Sequence, residues 1–461
     1  MLSRRAFLIG TGTAGALFAL RNVFKVPIDA IAAETSPFGP LQDDPGKILD
    51  LPRGFSYQVI SRTGDEMNDG LLVPGAHDGM AAFAVDADRV AVICNHELNF
   101  NQPELSAFGK NGALLKLVAP EKIYDAGGKA ISIGGTTTLI YNTRAKQVEN
   151  HFLSLVGTER NCAGGPTPWG SWLSCEESVS MPDSIHGKDH GWVFEVPATA
   201  TGLVDPVPLK AMGRFNHEAV AVDPRTSIVY LTEDRKDGLV YRFIPDTPGK
   251  LQSGRLQALS LQGSRSADTR NWPGRDDYWQ EGDTFAVSWV DLQDVHSPGD
   301  DLRAQGRALG AAVFARGEGI WSGRNEIYFT CTIGGRIGAG QIFRYRPGEH
   351  EGTQREKESP GQLQLLVEST DPKLMNNCDN ITVTPWGDVM VCEDAATPCS
   401  LVGVTASGDL YHFAKNAYSD SELAGACFSP DGSTLFVNIQ RPGLTLAISG
   451  PFPDQISDQA G

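Results

Sequence analysis

The sequence predicts an all-β fold: a six-bladed β-propeller closed by an N-terminal strand. Three observations predict it. First, one short pattern returns six times: "DGMAAFAV" from Asp78, "CAGGPTPWG" from Cys162, "EAVAVDPRT" from Glu218, "EGIWSGRN" from Glu318, "DNITVTPWG" from Asp379 and "GACFSPDG" from Gly425. Each copy runs from an apolar stretch through a turn of Pro, Gly, Asp or Asn into a strand-like run such as "SWLSCEE", "NEIYFTCT" or "DVMVCED". Second, a further alternating strand follows most copies, as "GWVFEVP" from Gly191, "GLVYRFIP" from Gly238, "GQIFRYRP" from Gly340 and "GDLYHFAK" from Gly408. Third, little chain remains after "GLTLAIS" from Gly443, so the last unit lacks an outer strand, and "FSYQVIS", Phe55 to Ser61, is the segment that can supply it. Strand pairs of this kind cannot bury both faces alone, and stacking them radially in a closed ring removes the exposed edges.

Taken in chain order, the first element is a leader. Arg4 and Arg5 precede the apolar run Phe7 to Leu20, and Ala30-Ile31-Ala32 offers a small-residue cleavage site. This reads as a twin-arginine export signal over residues 1–32, with 33–461 a single propeller domain. The leader implies the twin-arginine export machinery as a partner and a periplasmic or secreted location. No Cys precedes Cys94 and no second long apolar stretch follows, so neither a lipid anchor nor a membrane span is expected, and the mature protein is expected to be a monomer. The formal net charge is −17 and no basic stripe occurs, which argues against nucleic acid as a partner. Two insertions, near 99–131 and 244–310, break the even spacing. The second contains "RNWPGRDDYWQEG" and is expected to form a wall or lid over one mouth of the ring.

Five of the six repeats open with a residue able to bind a metal: Asp78, Cys162, Glu218, Glu318 and Asp379. In a propeller, equivalent positions face a common axis. A column of carboxylates and one thiolate there repels itself unless cations sit among them. A single such acid would more simply be a solvated loop charge, but five at one register favour the ring. Cys94, Cys175, Cys331 and Cys392 occupy matching second-strand positions and read as buried core thiols. Cys162 alone lies in the column. Carboxylates suit hard cations such as calcium and magnesium, and a thiolate beside them suits a transition metal such as iron or zinc; the mixed set suggests iron next to calcium. Further acids end the second strands: Glu97, Glu176, Glu177, Glu233, Asp234, Glu393 and Asp394, and spacing leaves open which of each pair faces the axis. His217 is placed to orient Glu218, Asn161 and Asn380 to add neutral oxygens, and Arg316, two residues before Glu318, to meet a phosphate or carboxylate with its planar fork.

No G-x-S-x-G elbow, H-E-x-x-H helix or dinucleotide-binding loop is present, which leaves metal-assisted chemistry as the enzymatic reading. At these residues the chain resembles a known family. The twin-arginine leader, "NCAGGPTPWGSWLSCEE", "RFNHEAVAVDP", "YLTED" and "ARGEG" are similar to the bacterial PhoX alkaline phosphatases. The resemblance implies a six-bladed propeller whose central iron and calcium cluster hydrolyses phosphomonoesters. It implies Cys162, Glu177 and Glu218 as iron ligands, Glu318 and Asp379, with Asp78, as further metal ligands, and Arg316 with Glu318 as the residues at the reacting phosphate. The substrate would be a phosphorylated small molecule. The chain is shorter than the well-known enzymes of that family. Two other readings stand beside this one: a calcium-dependent propeller lactonase or esterase, and a non-catalytic binding propeller stabilised by metal.

Overall fold

A computed structural model describes residues 36–128 and 130–455; the leader predicted at 1–32 lies outside the described residues. Among the described residues the regular structure is mostly strand, with one α-helix, Leu302–Leu309, and a few single 3-10 turns. Among the described residues no helix is long and apolar enough to cross a membrane. The innermost strands are His77–Ala84, Asn161–Pro166, His217–Val222, Gly317–Ser322, Cys378–Val383 and Leu423–Phe428. Each stands beside the next, and the last stands beside the first, so they ring a common axis in a propeller-like arrangement.

The hydrogen-bonded sheets depart from six separate four-stranded blades. Among the described residues they number five, and one has nine strands. The strand Thr284–Asp291 pairs on one side with Lys250–Leu261 and on the other with Gln362–Glu368, which welds two units into that sheet. The unit that begins at Asn161 has only three strands. The sheet that begins at Cys378 has six, because Leu41–Gln42 and Leu49–Pro52 add to its outer edge. Ring closure follows the sequence. Ser56–Arg62 pairs antiparallel with Leu444–Ser449, with Val59 opposite Leu446 and Ser61 opposite Thr445. Phe55, expected to start this strand, instead packs edge-on against Phe38, Phe413 and Phe452.

The second strands, such as Ile327–Cys331 and Val389–Glu393, are buried along their whole length because neighbouring sheets cover both faces. This explains their near-continuous apolar composition. All eight cysteines are buried and free, in keeping with thiols that fill packed layers.

Every innermost strand carries the same irregularity. Pairing with the second strand slips between His77 and Met80, Asn161 and Gly164, His217 and Val220, Gly317 and Ile320, Cys378 and Ile381, and Ala424 and Cys427. A bulge bends the strand and re-aims the unpaired side chain. Here the re-aimed positions are those of Asp78, Cys162, Glu218, Glu318 and Asp379. Just past them the strands crowd together. A Cβ on Gly79 would stand 2.6 Å from Cα of Ala163, and one on Gly319 would stand 2.7 Å from the amide N of Ile381. Trp321 then packs against three separate hydrophobic clusters. The axis is thus filled on one side of the bulges and open on the other.

Candidate metal centre

Above the bulges lies a cavity of about 610 Å³, into which the chain places two tiers of acids. The bulged column supplies Asp78, Cys162, Glu218, Glu318 and Asp379. The ends of the second strands supply Glu97, Glu177, Asp234 and Asp394. One backbone hydrogen bond sets the second tier. The N–H groups of Glu97, Glu177, Asp234 and Asp394 donate to the carbonyls of Ala76, Arg160, Asn216 and Asn377, each just ahead of an innermost strand. Gln440 repeats the bond to Glu422 in the sixth unit. That unit offers no side chain from Gly425. Its carboxylate comes from Glu422, and the Nε2 group of Gln440 bridges Asp78 and Glu97 at 3.1 and 2.9 Å.

The structure resolves each adjacent acid pair in the same way. The second acid faces the cavity. The first turns into the blade and holds the following loop. Glu176 accepts from the N–H groups of Glu159, Gly191 and Trp192. Glu233 accepts from Leu239 N and pairs with Arg303, and Glu393 accepts from the N–H groups of Asn376 and Ser400.

Four groups of donors lie close enough to share a cation, each with its ligand atoms within 4.8 Å of one another: Cys162 with Glu177 and Glu218; Glu218 with Glu318 and Asp379; Asp78 with Glu97 and Glu422; and Asp379 with Asp394 and Glu422. The cavity wall carries ten carboxylic acids against the three guanidinium groups of Arg160, Arg316 and Arg441. Burial, then Glu97 and Asp379, push Asp78 well above the usual carboxylate range. Burial, then Asp379 and Glu177, do the same to Glu218, and burial with Asp234 to Glu318. Asp379 rises to about 7 through burial and Asp394. Burial and Glu218 push up the Cys162 thiol, which lies 3.5 Å from the carbonyl oxygen of His217. Burial and mutual repulsion thus disfavour the charged forms of these groups unless cations offset them. One buried oxygen also lacks a donor: Glu318 Oε1 is 2.7 Å from Arg316 Nη2, but the two are not aligned for a hydrogen bond. A set of hard oxygens with one thiol, an excess of negative charge and an unsatisfied buried oxygen fits bound metal.

The arginines are held between tiers. Arg316 donates to Asp234 through Nε and Nη2 at 2.6 and 2.7 Å, and its backbone adopts a left-handed φ of 56° to do so. Arg160, with φ of 47°, donates to Glu97 and Glu177. Arg160, like Arg316, stands two residues before a column residue, and that shared spacing was the available signal for it. Glu422 had no such signal, because it precedes its strand and falls outside the column register.

Three expectations need correction. His217 does not orient Glu218: its Nε2 bonds the carbonyl of Gly213 and its ring stacks on Phe215 at 3.6 Å, on the blade side. Asn161 offers no free oxygen, since Oδ1 accepts from Thr158, and the Asn380 oxygen accepts from Gly425 N. The insertion at 244–310, expected to wall or lid one mouth, lines no part of the cavity, and among the described residues neither does that at 99–131; the open rim comes from Ser419, Asp420, Ser421 and Arg441. The first insertion instead buries Phe108, Val118 and Ile123 in a side cluster, and the second extends the nine-stranded sheet.

The sequence profile of the family described as Alkaline phosphatase PhoX matches residues 36–443. The chain belongs to the PhoX alkaline phosphatase family. The solved structure of Pseudomonas fluorescens PhoX in complex with vanadate, a transition state analogue, is similar at 18% identity and a TM-score of 0.63, covering 88% of this chain and 96% of that one. A Xanthomonas campestris gluconolactonase covers 90% of this chain and 99% of its own at 11% identity, with a TM-score of 0.39, too loose a likeness to bear on function. No curated protein is detectably similar to the chain in sequence.

Proposed function

We propose that the chain is an exported, metal-dependent phosphatase that hydrolyses phosphomonoesters at an iron and calcium cluster in its central cavity. The observation that carries this reading is a buried thiol, Cys162, within 4.8 Å of the carboxylates of Glu177 and Glu218, in a chain of the PhoX family. Thiolate beside carboxylate selects a transition metal, and carboxylate alone a hard cation. Cys162, Glu177 and Glu218 are assigned to iron. Glu318 and Asp379 share Glu218 with that site, and Asp78 with Glu97 and Glu422 is assigned to calcium. When bound, such cations supply Lewis acidity toward a phosphoryl oxygen.

The chain's own residues bind and orient the substrate. Arg316 is gripped by Asp234 and Glu318 through Nε and Nη2, which leaves Nη1 to donate to a phosphate oxygen and keeps the fork from swinging. Glu318 fixes that arginine from below and faces the same anion. Excess carboxylate charge repels a phosphate dianion until cations neutralise it, so substrate binding waits for the metal. The filled axis beneath the bulges leaves one mouth for entry. Residues 1–32 are read as a twin-arginine leader, and 33–461 as one monomeric propeller of six blades, the nine-stranded sheet counting as two blades fused through Thr284–Asp291.

The test is hydrolysis of phenyl phosphate by protein purified after export, before and after chelation and after return of iron and calcium. Activity should vanish with chelation and return only with both metals. Undiminished turnover in chelated protein, or none in protein with a full metal complement, contradicts the reading.

A further inference from the structure

The three arginines of the cavity are not alike. Arg160 and Arg316 each lie between two carboxylates of the inner tiers. Arg441 lines the same cavity from the rim and is exposed, yet among the described residues its guanidinium has no ion pair, although ten acids line that cavity. Its backbone, by contrast, is tightly held. Arg441 N donates to Ser421 Oγ at 3.0 Å, and its carbonyl accepts from Ser419 Oγ at 2.9 Å. Both serines belong to a loop wound around the buried Asn416. The Oδ1 of Asn416 accepts from Tyr418 N and Ser419 N, and its Nδ2 donates to the carbonyl of Ser421. The preceding residue, Gln440, is fixed by Asp78 and Glu97. A cation whose root is anchored beside the cavity and whose head is unpaired is available to an anion from outside the chain.

We propose that Arg441 is a specificity-determining residue, which holds a second anionic group, a carboxylate or phosphate on the leaving-group side of the ester. This rests on the phosphatase reading. The inner arginines are committed near the reacting phosphate, so a charge further along the substrate falls at the rim. There Arg441 faces it, and the surrounding acids disfavour any anion that does not reach the guanidinium. The preferred substrates are then phosphomonoesters of acidic alcohols rather than of neutral ones.

The experiment compares 4-carboxyphenyl phosphate with 4-carbamoylphenyl phosphate, two esters of like shape, one carrying the extra charge. The metal-loaded wild type should favour the carboxylate ester by about fivefold in kcat/KM, through KM, in line with a partly exposed ion pair. In Arg441→Gln that preference should fall to about one, with the carbamoyl ester turned over as before, and Arg441→Lys should recover part of it. An unchanged ratio in Arg441→Gln, or an equal loss on both esters, overturns the proposal. If the wild type hydrolyses neither ester, the phosphatase reading fails. Calorimetric binding of the two esters to wild type and Arg441→Gln then decides the role of Arg441 by itself, and equal affinities reject it.

Discussion

Glu176 and Glu177 are neighbours in the chain and lie in opposite environments. Glu176 is fully buried, and its two oxygens take three backbone N–H groups and the His190 ring. Glu177 is also nearly buried, yet it meets Arg160, Asn216 and the acids of the cavity, and burial pushes it well above the usual carboxylate range despite Arg160. The same division separates Glu233 from Asp234 and Glu393 from Asp394. One acid of each pair holds the blade together. The other faces the cavity among further acids, where its partners are side chains such as Arg160 and Asn216 for Glu177 and Arg316 for Asp234. Burial does not distinguish Glu176 from Glu177, since both are buried; the donors that surround each carboxylate do.

Substitution should separate the roles cleanly. The largest effect is expected for Glu177→Gln: a fall in kcat/KM of at least about a hundredfold with loss of iron, while the metal-free variant melts at or above metal-free wild type because one like charge is relieved. Kinetics, elemental analysis and thermal melts check it. A melting temperature that drops with activity intact would erase the distinction. Next is Glu176→Ala, which strands His190 and three N–H groups. It should cost about 3 kcal/mol in denaturant melts while the folded variant keeps its metal stoichiometry. A smaller effect is a pH signature. Burial alone would lower His190, but Glu176 and Asp125 outweigh it and hold it up to about 10. Its folded value lies above the unfolded one near 6.5, so its contribution is complete below about pH 6.5 and is lost as pH rises toward 10. The stability gap between wild type and His190→Phe should therefore narrow over that window. A gap that widens with pH would contradict the charged sandwich.

The sequence made the column legible because each bulge falls at one register, so Asp78, Cys162, Glu218, Glu318 and Asp379 recur at matching steps. The closing strand was legible because the last unit visibly lacked a partner. The orientation of the acid pairs was not. The strand Ser171–Glu176 ends at the first acid of its pair, so alternation gives no rule for Glu177. His217 was misplaced because residues adjacent in an extended strand point to opposite sides, which sends its ring to Phe215 while Glu218 enters the cavity. Arg441 and Glu422 come from loops that only closure of the ring brings to the axis. The weld through Thr284–Asp291 depends on long-range pairing that no local pattern announces.

The central claim is that Cys162 is set apart from the other buried thiols by what it faces. Cys175 lies in a hydrophobic cluster with Leu173, Val193 and Val220, whereas Cys162 faces Glu177 and Glu218. The direct test is the iron content of purified Cys162→Ser beside Cys175→Ser and wild type, read by elemental analysis. Cys162→Ser should lose its iron while calcium persists. Cys175→Ser should keep both, at a cost of about 1–2 kcal/mol in stability. A full complement of iron in Cys162→Ser would contradict the proposed centre.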